Sequence, residues 1–193
     1  MLRWLAAALI VAALAIATVV GVQVFMPGGD PSSSDQQGVV SIGGPFTLTD
    51  QTGKRVTDAD YRGRFMLVYF GYTFCPDVCP LGLQTIAAAL DELPADVQDQ
   101  VVPLFITVDP ERDTVPVMRD YVAAFHPRLI GLTGAEAEVT AVGRAYRVYA
   151  SRSATPTGDS GYLVDHSTFT YLMDRQGRYL AHFGHDATPD EMA

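Results

Sequence analysis

The stretch "RFMLVYFGYTFCPDVCPLGLQTIAAALDEL" (64–93) decides how this chain folds. Its first seven residues, 64–70, are nearly all apolar, the pattern of a central strand buried on both faces. Residues 81–93, "LGLQTIAAALDEL", place Leu83, Ile86, Ala87 and Leu90 at helical spacing and are stopped by Pro94. A buried strand running into a helix is the first half of a crossover between parallel strands. At the junction stand Cys75 and Cys79, the only two cysteines in 193 residues.

Outward from this unit the alternation continues. "VVPLFITV" (101–108) reads as a second buried strand and "TVPVMRDYVAAF" (114–125) as a second helix, ended by His126 and Pro127. "RLIGLTG" (128–134) is a short strand and "AEAEVTAVGRAYRV" (135–148) a third helix. Upstream, "FTLTD" (46–50), the turn "QTG" and "KRV" form a β-hairpin; downstream, "TFTYLMD" (168–174), "RQG" and "RYLAHF" (178–183) form another. The expected class is α/β, a thioredoxin-like fold with an N-terminal β-hairpin. The last residues, "ATPDEMA", open like a helix, with Thr188 as N-cap and Pro189 at the first position. They read as the start of a helix that is cut short.

Composition narrows the function. The chain is 48% hydrophobic and 18% charged, within the globular range. Its net charge is −9 and its 13 basic residues are scattered, so no basic stripe is available to meet a phosphate backbone; nucleic acid is not an expected partner. Trp4 to Gly29 contains no charged residue. About 20 apolar residues, each rising about 1.5 Å, cross a hydrocarbon core of about 30 Å. The run exceeds the apolar core of about 7–15 residues usual in a cleaved signal peptide, so residues 1–26 are read as a single transmembrane anchor. Arg3, the only charge before the span, sets the N-terminus in the cytoplasm and the remainder outside, where a disulfide can persist. "PGGDPSSSDQQG" (27–38) is a Pro/Gly/Ser-rich tether. The expected organisation is an anchor (1–26), a flexible linker (27–42) and a folded domain (43–193).

The cysteines admit several readings. A structural disulfide would close too short a loop to restrain much of the unfolded chain. A closed structural zinc site needs four ligands, and only two cysteines exist. A redox pair or a soft-metal site remains. At the first turn of a helix the unpaired N–H groups and the dipole favour a thiolate, and residues four apart share a face. Of the four histidines, His126 is read as capping carbonyls at a helix end, and His182 and His185 as surface or turn residues. His166 stands at the mouth of a strand, after the polar loop "SATPTGDSG" (153–161), which is long enough to reach the cysteine turn. Two thiolates and an imidazole suit three-coordinate Cu(I), since soft sulfur ligands select it.

Taken in order, "GYTFCPDVCP" (71–80), "TVDPERDT" (107–114), "YRVY" (146–149) and "VDHS" (164–167) closely resemble the Sco/SenC family of copper chaperones. The likeness covers residues 43–186. It implies a thioredoxin-like domain that binds one copper ion through Cys75, Cys79 and His166. It further implies help in assembling the binuclear copper centre of cytochrome c oxidase subunit II, with copper received from an upstream donor. Arg and Ala usage suggests a bacterial source, so the expected location is the bacterial inner membrane with the soluble domain in the periplasm. Asp165 would lie next to the ligands, though it also reads as a turn residue. Asp77 is read as a helix cap, Asp109 as a loop residue, Asp113 or Thr114 as a cap on the following helix, and Arg112 as pairing locally.

Cu(I) is the expected cargo, and the histidine nitrogen extends the site to Cu(II). The rival is an enzyme, a dedicated thiol–disulfide reductase acting on oxidase cysteines through the pair Cys75 and Cys79. Three residues between the cysteines, rather than two, and no Trp beside them disfavour a general reductase. A thiol peroxidase fits the paired motif less well still.

Overall fold

The computed structural model describes residues 41–153 and 161–193. The apolar run, the tether from 27 to 38 and most of the loop at 153–161 lie outside them. Among the described residues no helix is long and apolar enough to cross a membrane.

The two expected buried strands are β3 (Phe65–Gly71) and β4 (Val101–Thr107). Around them the chain sets β1 (Thr47–Asp50), β2 (Arg55–Thr57), β5 (Ile130–Thr133), β8 (Thr170–Met173) and β9 (Tyr179–Phe183). These seven form one sheet in the order β2-β1-β5-β4-β3-β8-β9. β3, β4 and β5 run parallel; the hairpins β1–β2 and β8–β9 flank them antiparallel. Both sequence-predicted hairpins are therefore present, one at each edge of a mixed α/β sheet. A separate ladder joins β6 (Ala150–Arg152) to β7 (Val164–His166).

The crossovers are helical: α1 (Val78–Glu92) and the short α2 (Ala95–Gln98) lie between β3 and β4, and α3 (Val115–Ala123) between β4 and β5. α4 (Glu136–Ala145) follows β5, and α5 (Pro189–Met192) opens at Thr188, whose N–H and hydroxyl both bond Glu191. Alternation along β3 explains its unbroken apolar run. Met66, Val68 and Phe70 pack with Val139 and Val142 of α4, while Leu67 and Tyr69 pack with Leu83, Ile86 and Leu90 of α1 and Met118 and Val122 of α3. Each such buried aliphatic side chain contributes about 1.5–3 kcal/mol.

One register positions the site. Phe65 pairs with Val101 and Gly71 with Thr107, so β3 and β4 end together. The cysteine loop and the "DPERDT" loop leave the sheet side by side, at the carboxyl ends of parallel strands, where open α/β sheets bind ligands.

Three local expectations are corrected. α1 starts at Val78 rather than Leu81, so Cys79 lies inside its first turn; Pro80 is tolerated there because first-turn N–H groups have no intrahelical partner. His126 caps no carbonyl: its Nδ1 accepts the backbone N–H of Arg128 at 3.1 Å and its Nε2 lies 3.5 Å from Asp91. Asp77 and Thr114 occupy N-cap positions without a side-chain capping bond.

Candidate metal centre

The cysteine loop is tied down before the cysteines are reached. Asp113, wholly buried at 0% exposure, accepts the Thr73 hydroxyl at 2.6 Å, the Thr73 N–H at 3.1 Å and the Thr107 hydroxyl at 2.6 Å. It is thus a pin between the cysteine loop and the end of β4, not a cap on α3. Burial pushes its carboxyl up from the usual range, against the pull of these donors.

Beyond Thr73 the chain turns, with Cys75 N–H donating to the Tyr72 carbonyl at 3.2 Å, and enters α1. The job expected of Asp77 falls to Cys75, whose Sγ accepts the Cys79 N–H at 3.4 Å. Cys79 is at 0% exposure beneath the end of β3, and Cys75 is half-buried. Close packing requires glycine at Gly71, where a Cβ would stand 2.9 Å from the Cys79 sulfur and 2.9 Å from Phe105. Neither cysteine is in a disulfide.

His166 arrives from the other side. β7 is held by β6, with His166 opposite Ala150, and Ser167 closes the ladder by donating its N–H to the Tyr149 carbonyl at 3.0 Å. Val164 N–H donates to the Tyr72 hydroxyl at 3.3 Å, and the Tyr72 ring meets the His166 ring edge-on at 5.8 Å. His166 Nδ1 lies 2.8 Å from the Ser167 carbonyl. A carbonyl only accepts, so Nδ1 carries the proton, and in the neutral ring the Nε2 lone pair faces the sulfurs. Nε2 is 3.2 Å from Cys79 Sγ.

The two sulfurs and the ring nitrogen all lie within 4.8 Å of one another, the one such group of ligand-type side chains among the described residues. That is close to twice a metal–ligand bond of about 2.0–2.3 Å, as measured at zinc sites. The donor set, two soft sulfurs and one imidazole, suits copper. Electrostatics separates the thiols. A hydrogen bond from Cys79, with help from the N–H groups of Asp77 and Cys79, overcomes burial and brings Cys75 down to about 3. Cys79 is pushed up, first by its bond to Cys75 and then by burial.

The structure thus brings Cys75, Cys79 and His166 together. Asp165 is exposed, alternating with His166 along β7. His182 is bonded to Tyr179 at 2.5 Å on β9, and His185 lies in the exposed turn after it; neither joins the site. Exposed apolar residues flank the cysteines, Phe74 at 50% and Leu81 at 56%. Sequence reasoning undervalued Asp109 and Arg112. Asp109 is 2% exposed, accepts the Tyr162 hydroxyl at 2.7 Å and pairs with Arg112.

The profile of the SCO1/SenC family matches residues 34–193. "Protein SCO1 homolog 1, mitochondrial" of Arabidopsis thaliana is 46% identical over 155 residues, which make up 80% of this chain and 46% of that protein. The chain spans about half the length of the curated relatives it matches. Among solved structures, Bradyrhizobium japonicum ScoI with copper bound superimposes with a TM-score of 0.72 at 48% identity, over 79% of this chain and 95% of that one. BsSco, described as a member of the Sco family of cytochrome c oxidase assembly proteins, matches with a TM-score of 0.61 at 25% identity, over 79% of this chain and 90% of that one.

Proposed function

The chain belongs to the SCO1/SenC family, and on that premise we propose that it is a membrane-tethered copper metallochaperone. Cys75, Cys79 and His166 hold one copper ion as cargo. The observation that carries this reading is the convergence of two sulfurs and one Nε2 within 4.8 Å, with Nδ1 engaged by the Ser167 carbonyl. The copper bound to ScoI supports the choice of metal. Cu(I) is captured by the dithiol, and the imidazole extends the site to Cu(II).

The cargo comes from an upstream copper donor and goes to the binuclear centre of cytochrome c oxidase subunit II. The description of BsSco as belonging to a family of oxidase assembly proteins supports that destination. The uncharged run 4–29 supports an anchor in the bacterial inner membrane, with the folded domain in the periplasm. A site with only three ligands, one of them half-exposed, lets a partner's cysteines enter as the chaperone's leave. Copper then moves without being released.

The lowered pKa of half-exposed Cys75 favours a second reading, a dedicated thiol–disulfide reductase. Here the Cys75 thiolate attacks a partner's disulfide, forming a mixed disulfide and expelling one partner thiolate. Cys79, once deprotonated, attacks the Cys75 sulfur, closing the Cys75–Cys79 disulfide and releasing the second thiolate. The chaperone's partner gains a metal; the reductase's partner gains two electrons.

Cu(I) stoichiometry and affinity of the reduced full-length chain, with His166→Ala and Cys75→Ser alongside, separate the two. One Cu(I) per chain, strongly weakened in both variants, is the expected result. Binding that ignores His166, with the cysteines still reducing a test disulfide, would move the assignment to the reductase.

A further inference from the structure

Three segments meet above the sheet: the cysteine loop, the loop after β4, and the stretch that leads into β7 and His166. One side chain touches all of them. Arg112 pairs through Nε with Asp109 in its own loop. Its Nη1 donates to the Tyr162 carbonyl at 2.9 Å, four residues before His166. Its guanidinium lies 3.8 Å over the Tyr162 ring, 4.8 Å from that of Phe74 and 5.7 Å from that of Tyr72. Phe74 adjoins Cys75, and Tyr72 contacts both Val164 and His166. Arg152 also lies over the Tyr162 ring, at 4.5 Å, and the Tyr162 hydroxyl returns to Asp109.

We propose that Arg112 is a positioning residue for the copper site, holding the His166 segment in register with the cysteine turn. The inference rests on the chaperone reading above. Its physical basis is that Cys79 is fixed by packing under β3 and ties Cys75 through its N–H, whereas β6 and β7 are only three residues long and make a two-stranded ladder outside the main sheet. An isolated ladder of that size does not hold its own place. The planar, five-donor guanidinium can bind a carboxylate, a carbonyl and aromatic faces at once, which a lysine ammonium cannot. Asp109 directs that fork, and Tyr162 is the handle it grips.

The test is a double-mutant cycle on Cu(I) affinity, read by competition with a chromophoric Cu(I) chelator, on the reduced full-length chain. Groups that orient metal ligands are worth about 10–100-fold in affinity. Arg112→Met is expected to weaken Cu(I) binding by about tenfold or more in the wild-type background and to cause no further loss in His166→Ala. A loss of equal size in both backgrounds, or none in a folded Arg112→Met chain, overturns the proposal while leaving the copper site standing. If Arg112→Met does not fold, Tyr162→Ala removes the handle from a partly exposed position and must show the same dependence on His166. Cu(I) binding by the wild type that is absent or indifferent to His166 overturns both this inference and the reading beneath it.

Discussion

Gly71→Ala adds a single methyl group at the end of β3. The new Cβ would stand 2.9 Å from the Cys79 sulfur and 2.9 Å from a Phe105 ring carbon. Ordinary contacts lie at about 3.5–4.0 Å, so each neighbour must yield by about 0.6–1.1 Å. The strand cannot retreat freely, because Gly71 is in register with Thr107 and its carbonyl accepts the Val108 N–H at 2.8 Å. Phe105 is confined by Tyr121 at 5.5 Å and Tyr69 at 6.3 Å, which leaves the sulfur as the softer neighbour. Overpacking of this kind costs about 1–3 kcal/mol, and the stiffer unfolded chain returns about 0.4–1 kcal/mol. A net loss of about 1 kcal/mol lowers Tm by about 2–4 °C in a domain of this size. The site suffers more, since a ligand displaced by over about 0.5 Å leaves the productive geometry. A Cu(I) affinity lower by about tenfold, or about 1.4 kcal/mol, is expected. Thermal unfolding of the reduced apo chain and a Cu(I) competition titration measure the two effects. If Gly71→Ala keeps both wild-type Tm and wild-type affinity, Cys79 is not packed against this strand and the site geometry is wrong.

Asp113→Ala leaves the Thr73 N–H and the Thr73 and Thr107 hydroxyls without their acceptor, at about 1–3 kcal/mol for each buried group that water does not reach. A stability loss of about 2–4 kcal/mol in urea unfolding is expected, and one below about 1 kcal/mol would mean that this carboxylate pins nothing. In the reduced apo chain iodoacetamide should label Cys75 and spare buried Cys79. Because Cys75 is held down to about 3, it remains a thiolate from pH 8 to pH 5 and its alkylation rate should be flat across that range. An ordinary thiol with a pKa of about 8.5 would slow about 75-fold between pH 8 and pH 6, and that outcome would refute the assigned charge state.

What could be read from the sequence was whatever repeats locally. The runs at 64–70 and 101–108 announced buried strands because β3 and β4 are packed on both faces. The turns at 51–53 and 175–177 announced their hairpins, and the cysteine and "VDHS" motifs drew attention to Cys75, Cys79 and His166. Three-residue strands carry too little pattern to be seen, so the β6–β7 ladder that presents His166 was missed. The partners of the acidic residues escape a sequence reading for a different reason. Asp113 bonds Thr73 across 40 positions and Asp109 bonds Tyr162 across 53, and no local rule for helix caps anticipates a partner that distant. Asp77, in the place where a cap is usual, was displaced by the sulfur of Cys75, which took the Cys79 N–H.

Two of the converging atoms come from one turn of chain, and the third joins them across 87 positions. An unfolded chain keeps the dithiol but cannot recruit the imidazole. Copper held by all three would therefore act as a clasp between distant parts of the polypeptide. By linkage, every tenfold by which the folded chain outbinds the bare dithiol adds about 1.4 kcal/mol to its stability at saturating metal. On the proposed chaperone reading the cargo would strengthen its carrier, and a carrier that had delivered its copper would return to its intrinsic stability, more open to local unfolding and to the proteases that follow it.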